Sequence, residues 1–205
     1  MGVLAALVVL FGASFLGPLR GAVPLLWAWR SRTSWRDLGL SRPASWPRII
    51  VLGIVLGFAL KLLMKSVVMP LLGAPAVNAA FQHLQGATSA LPAILISVTV
   101  GAGFGEELIF RGFLFERLRR RFGDSHGVTV AIVAGTSLVF GAIHLPEQGL
   151  AGAQQATLTG LAMGSIYART RQLWLPIVVH AAFNVTAVFM IYFGQESRVA
   201  HWFFR

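Results

Sequence analysis

Residues 91–116 read LPAILISVTVGAGFGEELIFRGFLFE, and how this stretch is read decides the fold. It has the length and apolar content of a helix that crosses a bilayer, for which about 20 residues suffice. Yet its GEELIFR segment, residues 105–111, places Glu106, Glu107 and Arg111 within that helix. A charge at the centre of a bilayer costs about 2.5–3.5 kcal/mol, so each of the three requires a partner or a wet cavity.

The rest of the chain supports a membrane setting. Of 205 residues, 56% are hydrophobic and 12% charged, against roughly 25% charged in a soluble domain. The net charge of +10, from 17 Lys+Arg against 7 Asp+Glu, would suggest nucleic acid in a soluble protein. Here the basic residues lie between apolar runs, which makes them an orientation signal and argues against a nucleic-acid partner. Cysteine is absent, excluding disulfides and thiolate metal sites. No repeat divides the chain, so a single membrane domain over 1–205 is expected.

Apolar runs at 2–28, 49–72, 91–116, 127–145, 149–168 and 173–193 predict an all-α, polytopic integral membrane protein, a bundle of about six transmembrane helices around an intramembrane polar cavity. The first run is read as a retained span: no Lys or Arg precedes its apolar core and no A-x-A site follows, as a signal peptide would require. Arg30, Arg32, Arg36, Arg42 and Arg48 occupy one connection, Arg117, Arg119, Arg120 and Arg121 a second, and Arg169 and Arg171 a third. The intervening connections, 73–90 and 145–149, carry no Lys or Arg. This alternation predicts a multi-pass protein of the cell membrane with its N-terminus outside.

Besides GEELIFR, the polar residues expected within spans are Arg20, Lys61, Lys65, His144, His180 and Asn184. Glu107 and Arg111 are four apart, with the acid first, the favourable order for an ion pair on one helix face. Glu106 lies about 100° around the axis, where the sequence offers it no local cation, and Gly101, Ala102, Gly103 and Gly105 allow another helix to approach closely. A carboxylate so placed can act as a general base. His180 and Asn184 are again four apart and share a face. Two histidines, an asparagine and a glutamate from three helices form a set able to activate water and stabilise an oxyanion. Lys61 and Lys65 read as snorkelling to the headgroups, or as receiving a carboxylate or a lipid phosphate. Residues 194–205, with Trp202, Phe203 and Phe204, read as an interfacial anchor. Arg20 has no assignment.

In this order, Glu106-Glu107-x-x-x-Arg111, Phe140-x-x-x-His144 and His180-x-x-x-Asn184 resemble the EExxxR, FxxxH and HxxxN motifs of the type II CAAX prenyl endopeptidase family. This is the CPBP family, of CAAX proteases and bacteriocin-processing enzymes, within the Abi group. The resemblance covers about 91–193, and Trp35-Arg36-Asp37-Leu38-Gly39-Leu40 resembles the segment that family members carry ahead of it. Bacterial members are the more similar, which implies a bacterial membrane. The resemblance implies an intramembrane glutamic endopeptidase acting on a membrane-associated protein or peptide. Glu106 and His144 would activate water, His180 and Asn184 would form the oxyanion site, and Glu107 and Arg111 would support them. It implies no cofactor and no metal; His144, His180 and a glutamate could bind zinc, but no H-E-x-x-H pair is present.

Two other readings compete. One is a non-catalytic protein of the same fold, a bacteriocin-immunity or scaffold factor; the other is a proton-coupled transporter. Depth raises a further difficulty. Counted at about 1.5 Å per residue from the basic loops, Glu106 lies roughly 16–22 Å in, His144 about 25 Å and His180 about 12 Å. Straight, upright helices with these boundaries would not bring the three together.

Overall fold

The computed structural model describes residues 16–204, which are mostly helical with no strand among them. A short turn at Gly17–Leu19 leads into α1 (Ala22–Arg30). The spans follow: α2 (Trp46–Leu71), α3 (Leu91–Phe122), the long His126–Thr170 stretch, and α6 (Trp174–Tyr192). A short α7 (Glu196–Ala200) closes the chain. By length and hydropathy, four helices among the described residues are fit to cross a membrane. Most of the expected 2–28 span, and the signal-peptide question with it, lies outside the described residues.

The 45-residue His126–Thr170 stretch is a hairpin in space. Gly149 leaves the helical conformation at φ 65°, a region that suits glycine because it has no Cβ. It separates limb α4 (126–148) from limb α5 (150–170), which fold back on each other. A side chain at Gly141 would collide with Thr157 and the Ala153 carbonyl, and one at Gly160 or Gly164 would press on Ser137 or Val133. These small residues allow the backbones to approach closely, the usual basis of helix packing where lipid removes the hydrophobic drive. The two expected runs 127–145 and 149–168 are these limbs.

The same device joins α2 to α6, where Gly53 meets Val178, and Gly57 meets Val179 and Phe183. The outer faces are apolar, with Val51, Val55 and Phe58 of α2 more than half exposed, as a lipid-facing surface requires. Polar groups turn inward instead: Lys61, Glu106, Glu107, Arg111 and His180 are all at most 7% exposed.

α3 is wound loosely, with i→i+5 hydrogen bonds over Ser97–Glu106 and Leu108–Phe115, a rare geometry frequently found at functional sites. At its basic end, the linker before α2 locks against α3 and α6. Leu173 N–H donates to the Gly39 carbonyl at 2.9 Å and the Trp174 indole to that of Ser41 at 3.0 Å. Leu38 and Leu173 crowd Gly112, and Arg120 pairs with Asp37 at 3.3 Å. Slight burial pushes the Asp37 carboxyl up, but Arg120 and Ser34 outweigh it and hold the group below its usual range.

Candidate intramembrane active site

For Glu106 and His180 the depth difficulty disappears once α3 and α6 are aligned by their contacts. Gly112 of α3 sits against Leu173 at the start of α6, and Gly103 against Ala181. Going up from that level, Glu106 is six residues before Gly112 and His180 seven after Leu173. The antiparallel helices therefore bring the two side chains to one height. The arginines at 117–121 lie within the helix, because α3 continues through Phe122. Its 32 residues exceed what a hydrocarbon layer of about 30 Å needs.

His180 stands between the two glutamates. Its Nδ1 is 2.7 Å from Glu107 Oε1 and its Nε2 is 3.9 Å from Glu106 Oε2. Arg111 Nη1 donates to the same Glu107 oxygen at 2.9 Å, and Arg111 Nη2 to the Gly160 carbonyl of α5 at 2.9 Å. Glu107, fully buried and paired with Arg111, is an acceptor, so the His180 Nδ1 carries the hydrogen and Nε2 is the nitrogen presented to Glu106. The i,i+4 pairing of Glu107 with Arg111 is as expected, but Glu107 also positions His180. Glu107 Oε2 and Arg111 Nε are buried without a partner among the described residues.

Glu106 does have a cation. Arg20, just ahead of α1, donates from Nη1 to Glu106 Oε1. The expectation of a glutamate without a counter-charge holds within α3 and fails for the fold. The contact is possible because residues 18–21 lie directly on Gly101 and Gly105, where any side chain would press on Pro18, Arg20 or Gly21. Glu106 Oε2 is left facing His180.

His144 belongs to the same neighbourhood at one remove. Its Nδ1 donates to the Phe140 carbonyl at 2.7 Å, Nε2 makes no hydrogen bond among the described residues, and its ring packs edge-on to Phe140 at 4.7 Å between centroids. Phe140 also meets His180 at 6.0 Å, Phe110 at 4.9 Å and the Arg111 guanidinium at 5.2 Å. The aromatic residue of the FxxxH motif is thus the hub on which both imidazoles and Arg111 rest. Asn184, half-buried, lies one turn beyond His180 and makes no hydrogen bond among the described residues. No three His, Asp or Glu side chains converge as a metal-binding group among the described residues.

Below the site, buried Glu116 gathers Arg119 at 2.8 Å, the Tyr167 hydroxyl at 3.0 Å and Arg171 at 3.3 Å, tying α3 to the end of α5. The lysines of α2 do not snorkel. Lys65 is buried and paired with Glu196 at 2.8 Å, and Lys61 donates to Gln155 Oε1 at 3.2 Å over the Phe183 ring. Sequence reading missed the Glu116 and Lys65 pairings; an acid at each helix end was the available signal.

Two comparisons find proteins similar to this chain. Residues 88–186 match the model of the family described as type II CAAX prenyl endopeptidase Rce1-like. The chain is 29% identical over 111 residues to a protein of Bacillus subtilis (strain 168) named "Putative membrane peptidase YdiL". That match takes in 53% of this chain and 41% of the relative's length. No solved structure matches. All three motif groups on α3, α4 and α6 fall inside the matched region, and both matches support membership of the CPBP family of type II CAAX prenyl endopeptidase-like membrane proteins.

Proposed function

We propose that this protein is an intramembrane endopeptidase that hydrolyses a peptide bond in a membrane-associated protein or peptide with a water activated by Glu106, without metal. The observation that carries the reading is the approach of Glu106 Oε2 to His180 Nε2 at 3.9 Å, inside an apolar bundle. Too long for a hydrogen bond, this gap separates two groups that each present a free atom to one place.

In the proposed reaction, Glu106, assisted by His144, takes a proton from water as the water oxygen bonds to the scissile carbonyl carbon. His180, from Nε2, and the Asn184 carboxamide donate to the oxyanion. When the carbon–nitrogen bond breaks, the proton held by Glu106 passes to the leaving amine. Glu107 and Arg111 hold His180 in place. We take the whole chain as one membrane domain with its catalytic core at about 91–193, set in a bacterial membrane with its N-terminus outside, as its arginine distribution indicates.

A second reading, a non-catalytic scaffold or immunity protein of the same fold, draws support from the Arg20–Glu106 ion pair, which could be a simple brace. Glu106→Gln separates the two, since it preserves shape while removing the base. Protein termini would be compared in membranes of cells carrying wild type and E106Q. Termini present only with wild type support the peptidase, and purified E106Q should cut the identified substrate about 10²–10⁴-fold more slowly. Identical termini with folded E106Q sink it. Chelation with 1,10-phenanthroline should leave the rate unchanged; a loss restored by zinc would overturn the metal-free mechanism.

A further inference from the structure

Lys61 is a buried cation with no carboxylate in contact, its ammonium held only by the Gln155 amide oxygen and the Phe183 ring among the described residues. It opens into a cavity of about 350 Å³ also lined by Lys65, Glu196, Asn78, Gln148 and Gln155. Two lysines and one glutamate leave that cavity one positive charge, and a buried charge of this kind calls for a partner. The side-chain amides of Gln148 and Gln155 add hydrogen-bonding groups suited to an oxyanion.

A second hollow lies alongside it. Whereas 148, 151, 152 and 155 line the charged cavity, the neighbouring face at the start of α5 forms part of a groove of about 320 Å³. Its walls include Leu72, Ala142, Leu150, Ala153 and Leu158, so it is predominantly apolar. A singly charged polar chamber beside an apolar groove has the division of an amphiphile. The position fits as well: Lys61 and Lys65 lie roughly 22 Å and 28 Å along α2 from Trp46, close to the far boundary of a hydrocarbon layer about 30 Å thick.

We propose that this is a binding site for an anionic phospholipid, with its singly charged phosphodiester on Lys61 and an acyl chain along Leu72, Leu150 and Leu158. Basic pockets between transmembrane helices recognise anionic headgroups in this way. The site is separate from the Glu106–His180 centre but adjoins it, because Gln148 is one turn beyond His144 and Phe183 one turn beyond His180.

Binding would be measured on the purified full chain by native mass spectrometry with dioleoylphosphatidylglycerol, its zwitterionic counterpart dioleoylphosphatidylcholine, the acyl-free glycerophosphoglycerol headgroup, and oleate. Phosphatidylglycerol should bind at least tenfold more tightly than each of the others. Lys61→Met should erase the preference and Lys61→Arg retain it. Equal affinity for the two lipids, tighter binding of oleate, or an undiminished preference in folded K61M would each overturn the proposal. If K61M does not fold, Leu158→Trp, which fills the groove without touching a charge, decides. Selective loss of phosphatidylglycerol supports the site, and unchanged binding overturns it. None of these readouts involves proteolysis, so the result stands apart from the fate of the peptidase reading.

Discussion

Glu107 accepts the Nδ1 hydrogen of His180 at 2.7 Å, and this bond links the α3 motif to the α6 motif. The two adjacent acids therefore have different duties, since Glu107 orients the imidazole while Glu106 meets its other nitrogen.

The Glu107–Arg111 pair should behave as a buried charge pair. Removing one partner strands the other, so Arg111→Met is expected to cost about 3–5 kcal/mol. The E107Q/R111M double variant should cost less than the sum of the single changes. Thermal unfolding in detergent of all four proteins checks this, and strict additivity would contradict the coupling.

Arg20 should be coupled to Glu106 and to nothing else charged. Arg20→Gln is expected to destabilise by about 1.5–3 kcal/mol, the range for a hydrogen bond to a charged group. In an E106Q background the same change should cost much less. An equal cost in both backgrounds would show that residues 16–21 dock through packing alone.

Phe140 supports both imidazoles, so its shape should matter more to rate than to stability. Phe140→Leu is expected to lower stability by less than about 1.5 kcal/mol, as a core swap of similar character. On the proposed peptidase reading it should slow cleavage by up to about 10²-fold, the cost of misplacing catalytic groups by about 1 Å. Rate constants and unfolding temperature for the one variant make the comparison.

Glycines on α4 should divide by the face they occupy. Gly141→Leu would drive a side chain into Thr157 and the Ala153 carbonyl, whereas Gly135 has open space where a side chain would go. G141L should fail to yield folded protein and G135L should match wild type. Yield and size-exclusion profile distinguish them.

What can be read from sequence is whatever is local or periodic. Span positions follow from hydropathy, and the Glu107–Arg111 bond from a four-residue spacing. The hairpin limbs show as two runs separated by a connection that ends at Gly149. What cannot be read depends on distant segments meeting. Arg20 is 86 residues from Glu106, and Lys65 is 131 from Glu196. No periodicity encodes such pairs, so sequence leaves Arg20 without a role and leaves the lysines between the lipid headgroups and an anionic ligand. The loose winding of α3 is equally hidden, since the count of residues per turn is set by packing as well as by composition. His144 is expected beside Glu106, and Phe140 proves to be the connection between the histidines.

The linker at Leu38–Ser41 has a consequence well beyond its own position. It grips α3 at Gly112 and α6 at Leu173 and Trp174, and both helices climb from that grip to the level of Glu106 and His180. It therefore serves as the gauge block of the instrument: a loop at the end of the bundle sets how one glutamate and one histidine face each other deep inside it. Shimming that loop, by a residue added between 41 and 46 or by a smaller side chain at Leu38, should shift how Glu106 and His180 face each other without a single change within the site.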